Sequence, residues 1–334
     1  MIAPTRPPLV DGFGRAATDL RVSVTDRCNF RCVYCMPADG LDWLPREEVL
    51  TFEETLRLAA VFVACGVDTI RVTGGEPLVR ADVEQLVAMI AAAHPDVDLS
   101  MTTNGYRLAE KAPALARAGL RRVNVSCDSL RPDRFHQLTR RAGLDRVLAG
   151  LEAAAAAGLR PVKINAVMVR GINEDEAVDF ARLARDRDYH VRFIEYMPLD
   201  AGHGWTRAQV VPSAELLQRI EAELPLRRAD ETGPEPATRY LFADGAPGSI
   251  GFIASVSEPF CGDCNRLRLT ADGHLRTCLF ALDEHDLKGP MRAGAPDDDL
   301  EAIIRGAVAA KWAGHHINRA DFVQPERSMS QIGG

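Results

Sequence analysis

Leu20-Arg21-Val22-Ser23-Val24-Thr25-Asp26-Arg27-Cys28-Asn29-Phe30-Arg31-Cys32-Val33-Tyr34-Cys35 is an alternating apolar strand that runs directly into a loop of three cysteines. The spacing, C-x3-C-x2-C, sets three thiols in one tight turn. A [4Fe–4S] cube has four irons, normally closed by four thiolates, so three ligands leave one iron open to a small molecule. A closed zinc site needs a fourth ligand, and no nearby Cys or His supplies one. Arg27 and Arg31 would offset the negative charge of a cluster, and Tyr34 brings an aromatic ring beside it.

The same strand-then-polar-loop pattern repeats outward from this stretch. β-Branched, apolar runs occupy residues 20–24, 69–73, 98–102, 122–126, 162–167 and 191–196. Amphipathic or Ala-rich segments at 52–64, 82–93, 108–118, 144–157 and 175–185 separate them. Strands alternating with helices predict an α/β fold with a parallel sheet and right-handed crossovers, open or curled into part of a barrel. Thr73-Gly74-Gly75-Glu76-Pro77 follows the second strand, Thr102-Thr103-Asn104-Gly105 the third, and Ser126 ends the fourth. With the cysteine loop these lie at strand carboxyl ends, where α/β folds place active sites.

After about residue 196 the pattern changes. Residues 198–206 and 228–238 read as loops, and short strands with a second cysteine group begin near 247. Asp297-Asp298-Asp299 suits a helix N-terminus and opens a helix expected to reach about Trp312. The expected division is a mobile leader at 1–13, a main α/β domain at 14–244 and a smaller C-terminal α+β domain at 245–334. Residues 328–334 carry no packing pattern.

Net charge of −7 over 334 residues argues against nucleic acid as the main partner, without excluding a locally basic pocket. The longest apolar stretches, 58–65 and 86–93, fall far short of the roughly 20 residues of a membrane span. The N-terminus lacks the apolar core of a signal peptide, so a cytoplasmic location is expected, with reduced thiols. Six of the eight cysteines fall into two short-spaced groups, which favours metal over disulfides. Cys65 and Cys127 read as apolar filler.

The second group is Cys261-x2-Cys264-x13-Cys278. A structural zinc ribbon with His274 as fourth ligand and a second cube with an open iron both fit this spacing. Arg266, Arg268 and Arg276 lie in the same segment, and guanidinium forks suit phosphate. Spacing of i, i+2 would put Arg266 and Arg268 on one strand face. Arg21 and Lys163 sit in or beside apolar strands, as do Arg71 and Arg192, where a lone charge is costly without a partner; a triphosphate would serve. In Gly74-Gly75-Glu76-Pro77 the glycines admit close backbone approach and Glu76 can receive an ammonium.

The cysteine loop and Gly74-Gly75-Glu76-Pro77 resemble the radical S-adenosylmethionine (SAM) superfamily. With Arg192-Phe193-Ile194-Glu195-Tyr196-Met197 and the terminal Gly333-Gly334, the resemblance narrows to the GTP 3′,8-cyclase family, which opens molybdenum cofactor biosynthesis. It runs from about Gly14 to Gly334. It implies an incomplete (β/α)6 parallel barrel and two [4Fe–4S] clusters. Cys28, Cys32 and Cys35 would hold the cluster that binds SAM, with Tyr34, Gly75, Glu76, Ser126 and Met197 at SAM. Cys261, Cys264 and Cys278 would hold the cluster that meets the guanine of GTP. Arg21, Arg71, Thr102, Lys163, Arg192, Arg266 and Arg268 would contact GTP, and Gly333-Gly334 would thread into the site.

The activity implied is reductive cleavage of SAM to a 5′-deoxyadenosyl radical, loss of the ribose 3′ hydrogen, and closure to (8S)-3′,8-cyclo-7,8-dihydro-GTP. It implies an external one-electron reductant and cyclic pyranopterin monophosphate synthase as the next enzyme, with a homodimer left open. Thr69 departs from the family, where a lysine is expected, so the phosphate site would have one cation fewer. Two alternatives stand: a radical SAM enzyme whose second cluster relays electrons to another reaction, and a zinc scaffold without catalysis.

Overall fold

A computed structural model describes residues 5–230 and 234–333. The chain first alternates strand and helix: β1 (Asp19–Ser23), α1 (Phe52–Ala64), β2 (Thr69–Thr73), α2 (Val83–Ala93), β3 (Asp98–Thr103), α3 (Leu108–Arg117), β4 (Arg122–Ser126), α4 (Pro132–Thr139), α5 (Leu144–Ala156), β5 (Lys163–Met168), α6 (Ala177–Arg187) and β6 (His190–Glu195). These strands agree with the periodicity to within a residue at each end. Helix α4 and the later α7 (Ser213–Glu221) do not stand out in the sequence, being short and rich in charge. Helix α1 starts where Thr51 and Glu54 exchange the two bonds of a capping box.

Strands β1 to β6 lie side by side in chain order, all parallel. Leu20, Val22, Ile70, Val72, Met101, Val123 and Ile164 join one buried core with Leu58, Phe62, Leu86 and Leu151 of the helices. Side chains alternate along a strand, so Arg21, Arg71 and Thr102 fall on the opposite face. That face forms the site.

The remaining strands are β7 (Leu226–Arg228), β8 (Thr238–Phe242), β9 (Ser249–Ile253), β10 (Arg266–Leu269), β11 (His274–Arg276) and β12 (His285–Asp286). They extend the same sheet at both edges. β9 pairs in parallel with β6 and continues antiparallel through β8 and β7. β10 pairs in parallel with β1 and continues antiparallel through β11 and β12. The region expected as a smaller C-terminal α+β domain therefore shares one twelve-stranded sheet with the first. Three helices complete the chain: α8 (Lys288–Arg292), α9 (Asp297–Ala309) and α10 (Met329–Ile332).

Both chain ends pack more than their sequences suggest. Residues 1–4 of the expected leader lie outside the described residues. From residue 6 the leader is bonded to the body, with Arg6 N and Leu9 N donating to Ala64 O (3.0 Å) and Cys65 O (3.2 Å). Leu9 is buried. At the other end Ser328, Ser330 and Ile332 are buried, so the tail is a packed element. No helix among the described residues is long and apolar enough to cross a membrane.

Candidate active site

The first cysteine loop leaves β1 and is pinned by backbone bonds. Arg31 N and Val33 N donate to Thr139 O (3.0 Å) and Leu138 O (2.9 Å), while Cys35 N and Met36 N donate to Cys32 O (2.9 and 3.0 Å). Cys28, Cys32 and Cys35 are half-buried free thiols. Burial pushes Cys28 up to about 12, Cys35 up to about 11, and Cys32 well above the usual range. Such thiols keep their protons until a metal displaces them. Arg31 donates to Cys28 O at 2.7 Å, which places its charge at the loop. Tyr34 donates to Asp128 at 2.5 Å, and the other oxygen of Asp128 accepts from Val167 N at 2.9 Å. Burial lifts Asp128 to about 6.

The Gly74–Pro77 turn packs directly on the backbone that leads into this loop. Gly75 N and Glu76 N donate to Thr25 O (2.7 Å) and Arg27 O (2.8 Å). A Cβ at Gly75 would overlap the carbonyl oxygens of Asp26 and Arg27, so only glycine fits. Glu76, expected to receive an ammonium, is 1% exposed. Its carboxylate accepts from Thr103 Oγ1 (2.6 Å), Asn104 N (2.6 Å) and Leu78 N (3.0 Å), and burial lifts it to about 7. In this structure it fastens the turn to the end of β3. Ser126 is half-buried at the end of β4.

The second cysteine group lies across the sheet face. Cys261, Cys264 and Cys278 all line a cavity of about 350 Å³. Burial would raise the Cys264 thiol, but Arg266 and Lys311 outweigh it and bring it down to about 7. Lys311 is held by donating to Cys264 O (2.8 Å) and Arg266 O (3.0 Å). His274 does not join the group: its Nδ1 faces Asp272 at 3.3 Å, and it is absent from the cavity wall. Arg276 turns away too, bonded to Glu284 and to Ala281 O.

Both thiol trios fit a cube. Each offers three partly exposed sulfurs beside cationic groups, Arg31 at one and Arg266 with Lys311 at the other. Among the described residues no three His, Cys, Asp or Glu side chains converge as ligands of a single ion do. Thiolates capping three separate irons need not converge.

Beside the second group the strand register stacks cations in a row. Arg268 on β10, Arg21 on β1 and Arg71 on β2 are mutual partners at one register level, and Ser100 on β3 leads on to Arg122 on β4. Burial, then Arg268 and Arg71, hold Arg21 well below the usual guanidinium range. Arg21 Nε is buried without a partner. Arg71 is lowered by burial, Arg192 to about 9 by burial and Arg71, and Arg268 to about 10 by burial and Arg266. Like charges side by side are unfavourable.

Arg21, Arg71, Thr102, Arg192, Arg266, Arg268 and Met197 all line the cavity. Lys163 stands just behind it, bonded to the lining residue Glu235 at 3.4 Å. Thr69 lines it as well, between Asp19 and Asp98 of the adjacent strands. Arg122, paired with Asp98, is a cavity cation that sequence reading missed. Its strand-initial position looks like an ordinary boundary until the register is known. Glu235 was missed because it lies in a proline-rich loop.

The C-terminal segment touches the first cysteine group and the cation row. Ser330 hydrogen-bonds the Cys35 thiol through backbone and side chain, Met329 lines the cavity, and Arg268 donates to Gly333 O. Gly333 has φ +75°, and a Cβ there would overlap Ser23 Oγ. Gly334 lies outside the described residues.

Two family models match the chain: Radical SAM superfamily over residues 22–184, and Molybdenum Cofactor Synthesis C over 189–317. The first ends within α6 and the second begins just before β6. A GTP 3′,8-cyclase of Streptomyces coelicolor is 51% identical over 98% of this chain and 96% of its own length. One from Paenarthrobacter nicotinovorans is 48% identical over 98% and 97%. SuiB of Streptococcus suis bound to S-adenosylmethionine shares the fold, with a TM-score of 0.59 at 14% identity over 94% of this chain and 77% of that one. A radical SAM methyltransferase from Sphaerobacter thermophilus does so at 0.51 and 21% identity, over 78% and 70%. The sheet that carries a three-cysteine loop at one strand end, joined to a second thiol trio facing a cation-lined cavity, is thus matched along nearly its whole length, and the chain belongs to the GTP 3′,8-cyclase family of the radical SAM superfamily.

Proposed function

We propose that the cation row Arg268–Arg21–Arg71, set beside Cys261, Cys264 and Cys278 in one cavity, binds GTP for 3′,8-cyclisation. The adjacency of a phosphate-binding row and a thiol trio in a single wall carries this reading. The reaction opens molybdenum cofactor biosynthesis. Residues 14–244 supply the SAM centre, and residues 245–334 supply the second one.

Cys28, Cys32 and Cys35 would hold the first [4Fe–4S] cluster, and Cys261, Cys264 and Cys278 a second. With SAM at the open iron, the first supplies the electron and the hydrogen-abstracting radical that the reaction requires. Tyr34, locked on Asp128, with Gly75 and Ser126 shapes the SAM side, and Met197 lies on the cavity wall toward the second thiol trio. Glu76 acts one step back, by holding the turn that contains Gly75. Arg21, Arg71, Lys163, Arg192 and Arg268 neutralise the triphosphate, and Arg266, stacked on Phe260 at 4.8 Å, stands at Cys264. Thr102, whose Oγ1 accepts from Asn124 at 3.5 Å, contributes a hydroxyl to the same wall. These groups fix one ribose hydrogen toward the SAM side and exclude water, which is where positioning lowers the barrier.

The electron comes from an external one-electron reductant, and the product passes to cyclic pyranopterin monophosphate synthase. A cytoplasmic location belongs to the same reading. An electron-relay role for the second trio is disfavoured because relay needs no phosphate binders.

The test is anaerobic reconstitution with GTP, SAM and a strong reductant. The expected result is about eight irons and eight sulfides per chain, with cyclised nucleotide and 5′-deoxyadenosine formed together. Cys278→Ser should retain about four irons and make no cyclised product. Deoxyadenosine without modified nucleotide, or tightly held zinc in place of iron, would overturn the proposal.

A further inference from the structure

Residues 328–333 reach Cys35 through Ser330 and Arg268 through Gly333, yet they contain only one turn of helix, α10. So short a helix has little stability of its own, and its placement depends on the contacts that hold it, first those at its start. Immediately before it, Arg327 makes a two-pronged ion pair with Asp272, Nη1 to Oδ1 at 2.9 Å and Nη2 to Oδ2 at 2.8 Å. The same guanidinium reaches Glu284 at 2.9 Å. Asp272 is 7% exposed and also faces His274. Glu284 is braced by Arg276. A bidentate fork fixes direction as well as distance.

Asp272 lies in the turn between β10 and β11, where Gly273 N donates to Thr270 O at 3.0 Å. That hairpin carries Arg268 on one strand, and Cys278 follows the other. The anchor of the tail and Arg268, which Gly333 meets, therefore belong to one hairpin. Ser328 continues the placement: its N–H donates to Gln331 Oε1 at 2.9 Å, and its hydroxyl meets Ser330 Oγ at 3.0 Å.

We propose that Arg327, clamped by Asp272 and Glu284, is the positioning residue that sets the register of residues 328–333. In that register Ser330 meets Cys35 while the Gly333 carbonyl meets Arg268. The clamp thereby ties the SAM side of the site to the cation row. This inference rests on the reading of Arg268 as a GTP-binding group.

The test compares Arg327→Ala and Arg327→Lys in the anaerobically reconstituted full chain. Hydrogen exchange of the 328–333 amides should quicken about tenfold or more in Arg327→Ala. The kcat for GTP should fall about 30-fold or more while KM changes less than about threefold, because positioning is lost rather than binding. Iron content should be unchanged. Arg327→Lys keeps the charge without the fork and should fall between, and added guanidinium ion should restore part of kcat to Arg327→Ala alone. Unchanged exchange, or lost turnover with the tail still protected, would overturn the proposal. If Arg327→Ala fails to load iron, Arg327→Lys and Asp272→Asn carry the exchange measurement, and normal protection in both would overturn it equally. A wild-type enzyme that cyclises no GTP would sink the functional reading, while the exchange data would still decide the clamp.

Discussion

Arg21 on β1 and Arg268 on β10 are direct partners on neighbouring parallel strands, two guanidiniums brought together by segments some 250 residues apart in sequence. Burial, then Arg268, lowers the proton affinity of Arg21, and burial, then Arg266, lowers that of Arg268. In the proposed function this repulsion is relieved when the triphosphate occupies the row.

Replacing one member should therefore divide stability from binding. Arg21→Met removes a desolvated charge from a row of like charges, and isosteric apolar replacement of buried charge is commonly neutral or stabilising by about 1–4 kcal/mol. The ligand-free variant should melt a few degrees higher, at roughly 2–4 °C per kcal/mol for a chain of this size. GTP affinity, measured by equilibrium dialysis, should drop about tenfold or more. A variant that melts lower and binds normally would refute the anion-row account.

Lys163 gives the site a pH limit. Burial, then Arg192, lower it to about 8, against the opposing pull of Glu235. Its folded value lies below its unfolded one, so the folded protein prefers the neutral amine between them, and this group's destabilising cost fades as pH rises from 8 toward its usual range. GTP needs the charged form, so affinity should hold below about pH 8 and decline above it. In Glu235→Gln the amine loses its counter-ion, and the decline should begin at lower pH. Below that point GTP should bind several-fold tighter, because no carboxylate competes with phosphate. Affinity profiles of the two proteins that superimpose would contradict this.

Glu76 should prove structural. Both carboxylate oxygens accept hydrogens from Thr103, Asn104 and Leu78. In Glu76→Gln an amide NH2 must face at least one of these donors, leaving a buried donor unpaired at a cost of about 1–3 kcal/mol. Urea denaturation would register this as a lower midpoint. An unchanged midpoint with SAM binding abolished would return Glu76 to a direct ligand role.

Arg266→Ala combined with Arg268→Ala should abolish GTP turnover, with a loss of about 100-fold or more for two desolvated cations. Iron loading should stay near about eight per chain, since Lys311 still steadies Cys264. Turnover within threefold of wild type would remove both arginines from the substrate site.

Local pattern alone determined the six parallel strands, the polar ends that follow four of them, and the six cysteines in two groups. These are encoded in periodicity and short spacings, where side-chain alternation and backbone turns act over a few residues. The charges at positions 21, 71, 163 and 192 were legible as strand cations in need of a partner, and Arg266 and Arg268 as forks beside the second cysteine group. Their alignment was not, because the register between β1 and β10 joins residues some 250 apart through backbone bonds that no local pattern records. The same gap hid Arg122 and Glu235 at the cavity, and it suggested ligand or phosphate roles for His274 and Arg276, which the fold commits to Asp272 and Glu284. The tail shows the difference most plainly. Ser328-Met329-Ser330-Gln331-Ile332-Gly333 has too little apolar surface to predict order. Tertiary structure orders it because Arg327 finds two carboxylates, Ile332 finds the core cluster of Leu199 and Phe280, and Gly333 finds a space that admits no side chain.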